Sequence, residues 1–130
     1  MAITVIHIAL CLACLPFFVV GATGLVYALG GRRLAEERGQ RPIHEARCGG
    51  RIGRRRYPNP FLRVAVYDRF VVIAGPRCYQ LSRAAIDKVE VVGTRTPLTV
   101  RIHHHAADVP EQLEVWPEEV ETLMVAIGSE

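Results

Sequence analysis

Three consecutive histidines, His103, His104 and His105, stand in the stretch RIHHHAADVP and are the first residues to suggest chemistry. In a strand, neighbouring side chains point to opposite faces, so His103 and His105 share one face and His104 takes the other. Two imidazoles do not close a zinc site, which takes four ligands. Asp108 is the only acid within the stretch, and His44 would have to arrive from a distant strand. The cluster therefore reads as a solvated strand end, and no metal is expected. The cysteines lead no further. Cys11 and Cys14 form a C-x-x-C inside an apolar run, away from the polar helix N-terminus that a redox pair uses. Cys48 and Cys78 are expected to stay reduced in a cytoplasmic domain.

No catalytic constellation is legible. There is no glycine-rich phosphate loop carrying Lys and Ser/Thr, no G-x-S-x-G elbow and no H-E-x-x-H. Ser82 and Ser129 are the only serines, and neither stands in a nucleophile context. The glycines of CGGRIGRRR lack the strand–loop–helix setting of a phosphate loop. The expectation is a protein that is not an enzyme and carries no cofactor.

The residues left to carry function are arginines. Of the 16 basic residues in the 130-residue chain, Lys88 is the only lysine. Nine arginines fall within residues 32–56, whereas residues 111–130 hold six glutamates and no basic residue. Arg51, Arg54, Arg55, Arg56 and Arg63 form the candidate binding set, for a protein partner or for anionic lipid headgroups. Nucleic acid is not expected, because the basic run lacks an aromatic stacking platform.

What positions these arginines begins with an anchor. Residues 2–31 contain no Asp, Glu, Lys or Arg. A bilayer core needs about 20 apolar residues at roughly 1.5 Å rise each, and residues 3–29 supply them. There is no polar face, so the stretch reads as a lipid-facing helix over residues 1–30. A cleaved signal is disfavoured: no Lys or Arg precedes the run, and the run is too long. Pro16 is tolerated in such a helix. Arg32, Arg33, Arg38, Arg41 and Arg47 follow the span directly. The positive-inside bias then places the N-terminus outside and everything after the span in the cytoplasm. Residues 31–41 read as a basic juxtamembrane linker, with Leu34–Arg38 prolonging the helix until Gly39 and Pro42 stop it.

Residues 42–130 read as a small β domain closed by a helix. Strand character begins at Ile43–Arg55, and YPNP at Tyr57–Pro60 reads as a loop. In FLRVAVYDRFVVIAG, Leu62, Val64 and Val66 face one side and Arg63, Ala65 and Tyr67 the other, with a turn at Asp68-Arg69 and a return over Phe70–Ala74. Further strands are expected at Cys78–Leu81, Ile86–Val92, Leu98–His103 and Leu113–Trp116. SRAAI forms a tight connection and Gly93–Pro97 a turn. The period then changes. Val120, Leu123, Met124 and Ile127 recur at helical spacing, with Pro117 at the first helical position, Glu118 and Glu119 at the positive end and Gly128 as the stop.

Three stretches carry a resemblance: NPFLRVAVYDRFVVI, with its hairpin; YQLSRAAIDKVEVV; and LEVWPEEVETLMVAI, in which the last strand leads into the helix. Over roughly Ile43–Gly128 the chain resembles the bacterial pleckstrin-homology-like (PH-like) domains of small membrane-anchored proteins. The resemblance implies an α+β fold: an N-terminal transmembrane helix, then a PH-like antiparallel β-barrel or sandwich of about seven strands with a C-terminal amphipathic helix. Phosphoinositide-binding members use basic residues on the first two strands and their loop. Arg54, Arg55, Arg56 and Arg63 lie nearby without reproducing that spacing. The functional expectation is a single-pass interaction module at the inner face of the plasma membrane, binding an unidentified protein or assembling a complex. The alternative is an anionic-lipid-binding domain using the Arg54–Arg56 cluster.

Overall fold

The computed structural model describes residues 2–128, with side chains throughout except at 26–30. Helix α1 runs Ala2–Gly30. Over Ala2–Leu25 it is unburied, an 18-residue stretch within it has a mean hydropathy of 2.6, and it is long and apolar enough to cross a membrane. Two polar side chains turn back on its own backbone. Thr23 Oγ1 donates to the Val19 carbonyl at 2.8 Å, and His7 Nδ1 lies 2.6 Å from the Ile3 carbonyl. Such local bonds are what a polar group needs where water is absent.

Seven strands follow: β1 His44–Ile52, β2 Arg55–Val66, β3 Phe70–Ala74, β4 Cys78–Ser82, β5 Ile86–Val92, β6 Thr99–His104 and β7 Leu113–Trp116. Helix α2, Val120–Gly128, closes the chain. All pairings are antiparallel, in the order β4-β3-β2-β1-β7-β6-β5. The sheet curls into a half-barrel, so the fold is α+β as the alternation implies. The hairpin turn lies where it was expected: β2 pairs with β3 from Val66↔Val71 outward, and Asp68-Arg69 form the turn.

The concave face holds the main core. Leu62, Val64 and Val66 of β2 are buried there with Ile73, Leu81 and Ile102. Helix α2 covers this face through Leu123, Ala126 and Ile127, with Val120 and Met124 packed at the margin. Arg83 fastens its far end, donating to the Ile127 carbonyl at 2.7 Å and the Ala126 carbonyl at 2.9 Å. The helix starts at Val120, later than Pro117 suggests. Pro117 is instead buried in the turn leaving β7, and the Leu123 amide donates to the Glu119 carbonyl.

Two further expectations are corrected. Tyr57–Pro60 is not a loop but part of β2. The ladder to β1 jumps from Gly50↔Tyr57 to Cys48↔Leu62, so residues 58–61 bulge past a single residue, Gly49. Pro58 and Pro60 lack an N–H, and in the bulge they have no ladder bond to miss. Only glycine suits the β1 side of this crossing. A Cβ on Gly49 would lie 2.9 Å from the Tyr57 carbonyl oxygen and 2.9 Å from the Trp116 ring, and one on Gly50 would collide with the Glu114 carbonyl.

The second correction concerns Leu34–Arg38. It does not prolong α1; Ala35–Glu37 form a separate 3-10 turn. Residues 32–43 run across the convex face of β2–β4 and bury it. Ala65, Tyr67, Val72 and Ala74 are fully inaccessible on what would otherwise be a solvent face, and Leu34 packs against them.

Candidate functional site

Under that strap lies a buried ion pair. Glu37 is 2% exposed and Arg63 3%. The Glu37 carboxylate accepts from Arg63 Nη1 at 2.8 Å and Nη2 at 3.1 Å, from the Tyr67 hydroxyl at 2.9 Å and from the Leu34 amide at 2.7 Å. Arg63 Nη2 also donates to the Arg32 carbonyl at 2.6 Å. Four donors on one carboxylate and a bidentate guanidinium satisfy both charges, as burial demands. Burial pushes the Glu37 carboxyl up, but the hydrogen bonds from Arg63, Leu34 and Tyr67 outweigh it and hold it below the ordinary carboxylate range. Burial and the neighbouring carboxylate push the Tyr67 phenol up. The clamp joins the residues that follow α1 directly to β2.

The five candidate arginines therefore divide among three places. Arg63 belongs to the clamp and is closed to solvent. Arg54 and Arg55 are exposed at the β1–β2 turn. They line a cleft of about 350 Å³ with Arg77 of the β3–β4 turn and the rings of Tyr57 and Tyr79. Arg77 was not singled out in the sequence. A second cleft places Arg32 and Arg33 beside Pro76 and Arg77. The residues leaving α1 and the basic turns thus share one end of the sheet.

Arg51 and Arg56 lie elsewhere, in a row of charge that crosses the convex face. The cross-strand register places Arg56 beside Arg51, Arg51 beside Glu114, Glu114 beside Arg101 and Arg101 beside Glu90. Arg101 Nη2 bonds Glu114 at 2.9 Å. The Arg56 guanidinium lies 5.1 Å from the Trp116 ring centroid, within cation–π range. Among the described residues, the buried Nε of Arg51 meets no hydrogen-bond partner.

His103 joins this row, and the three histidines take separate partners instead of converging on one another. His103 Nε2 lies 2.6 Å from Glu90, His105 Nδ1 2.7 Å from Asp87, and His104 Nε2 2.8 Å from the Pro110 carbonyl. Among the described residues, no three His, Cys, Asp or Glu side chains come together. Cys48 is in the concave core, where burial pushes its thiol up to about 12. Cys78 packs against the opposite, convex cluster, so the sheet separates the two thiols. No family profile, curated protein or solved structure matches the chain.

Proposed function

We propose that this chain is a single-pass membrane protein whose soluble part is a PH-like interaction module at the inner face of the plasma membrane, presenting a protein-binding surface at a set orientation. Seven antiparallel strands followed by one packed helix support the PH-like reading. The observation that carries the function is the clamp. A module that only needed to be near the membrane would do with a loose tether. Here Glu37, Arg63 and Tyr67 bind the strap to the sheet within a few residues of the span. The basic turns then lie at the bilayer side, and the β2–β3 turn and the C-terminal end of α2 point away into the cytoplasm. A fixed body with exposed strand edges suits recognition of a partner. The Arg residues after the span favour a cytoplasmic domain.

A second reading has its own observation. Arg54, Arg55 and Arg77 surround one cleft beside Arg32 and Arg33, where anionic headgroups would lie. Each basic residue near such a surface contributes about 1 kcal/mol. One experiment separates the readings. Residues 32–130 are mixed with vesicles containing anionic lipid at several salt concentrations, with and without Arg54→Gln, Arg55→Gln and Arg77→Gln. Weak binding, with partners of the full-length triple variant still co-purifying from solubilised membranes, is expected. Strong salt-sensitive binding that the triple variant loses would replace the protein-module reading with the lipid one.

A further inference from the structure

The sheet has two open edges, and they differ. At β4 the strap passes close by: the Cys78 sulfur lies 4.0 Å from the Arg32 carbonyl, and Arg32, Leu34, Gln80 and Val109 share a cleft. Among the described residues, strand β5 has β6 on one side and no strand on the other. A groove of about 590 Å³ separates its first half from the end of α2. Val91 is 44% exposed. An uncovered edge is a template for another strand.

We propose that β5 pairs antiparallel with β5 of a second copy of this chain, forming a two-fold dimer within one membrane. The first support is charge. The row across the convex face alternates in sign toward this edge, from Glu114 to Arg101 to Glu90, and stops there. An antiparallel β5–β5 pairing with full overlap is centred on Val89, the midpoint of Ile86–Val92. That register sets Lys88 of each copy opposite Glu90 of the other. The row then continues as a cation after an anion, twice, by symmetry. Lys88 pairs with Glu90 of its own strand at 3.2 Å on this face, and 65% of its side chain is accessible, so the pairing exchanges that exposed contact for Glu90 of the other copy.

The second support is orientation. Two copies in one bilayer share their topology, so the two-fold axis is the membrane normal, and strands paired antiparallel about it must lie across that normal. On the membrane orientation proposed above, on which this support rests, strand β3 runs along the normal, between the basic turn at the α1 exit and the distal β2–β3 turn. Five strand steps separate β5 from β3. At about 20–25° of twist each, they turn β5 roughly across it.

The test uses full-length chains in liposomes at low protein density, carrying donor or acceptor fluorophores after Glu130. Wild type is expected to show energy transfer above a monomeric control. Lys88→Glu alone and Glu90→Lys alone set like charges opposite each other, and transfer should fall to the control level. A mixture of the two variants restores both pairs between unlike copies, so transfer should return. Contacts within one chain cannot produce that recovery. Should Glu90→Lys fail to fold, Lys88→Cys and Glu90→Cys copies serve instead: oxidation should join the mixture through 88 and 90 and leave each variant alone unjoined at these positions. No transfer in wild type, undiminished transfer in Lys88→Glu, or no recovery in mixtures of folded variants would overturn the pairing.

Discussion

Replacing Glu37 by Gln keeps the size of the side chain and removes its charge. In the native protein four donors converge on the carboxylate: two from Arg63, one from Tyr67 and one from the Leu34 amide. A Gln offers a single acceptor oxygen and adds an NH₂ that faces the guanidinium. Arg63 is then a buried cation that keeps only the longer contact to Glu45, with Nη1 3.7 Å from Oε1. Exposed pairs such as Arg33–Glu45 are worth about 0–1 kcal/mol. Stranding one partner of a buried pair costs about 3–5 kcal/mol, against about 5–15 kcal/mol for a whole domain. The full chain in detergent, melted or titrated with denaturant, should show this loss. Trp116, the only tryptophan, reports the transition by fluorescence. Glu37→Met combined with Arg63→Met removes both charges and should recover much of the loss. If Glu37→Gln costs less than about 1 kcal/mol, the strap is not packed on the sheet as described.

A fragment beginning at Pro42 lacks Leu34 and Glu37 and uncovers Tyr67 and Val72, so it should melt well below one beginning at Arg32 and bind a hydrophobic dye. Leu123→Asp puts an unpaired charge into the concave core and should cost several kcal/mol; an unchanged melting temperature would mean α2 does not cover the sheet. Gly50→Ala drives a methyl into the Glu114 carbonyl and should cost about 1–3 kcal/mol, read from the same melts. Glu37 titrates below its unfolded value. Its contribution is therefore complete above the ordinary carboxylate range of about 4 and is lost as pH falls through the folded pKa, so a strap-containing fragment should lose more stability on acidification than its Glu37→Gln variant. A reporter active only in the cytoplasm, fused after Glu130, should be active; an inactive one would reverse the orientation.

The apolar run, the alternating strands and the closing helix were legible because each is written in a period that one chain segment carries by itself. Tyr57–Pro60 was misread for the same reason. Two prolines signal a loop locally, while their place in β2 depends on a bulge set by Gly49 and Gly50 on another strand. The clamp was hidden more deeply. Glu36, Glu37 and Arg38 look alike as a solvated charge run, and nothing local marks Glu37 as the buried one. The available signal was on β2, where Ala65 and Tyr67 give an outward face too apolar for solvent and Arg63 shares it. The candidate arginines lie in separate places because proximity in sequence says little about which face or turn a residue reaches. Arg54 and Arg55 sit in a turn, Arg56 one residue later lies over Trp116, and Arg77 joins the first two from another hairpin.

Tyr67 has a mechanical consequence. Its hydroxyl is held by Glu37 of the strap, and its carbonyl accepts from Arg83 Nε at 3.0 Å. The same guanidinium grips the last carbonyls of α2. A pull or tilt applied where α1 ends is thus handed from strap to ring, from ring to backbone, and through one arginine to the C-terminal helix. The load path crosses the domain through three side chains, Glu37, Tyr67 and Arg83, so a displacement where α1 ends and the position of the last turn of α2 are coupled.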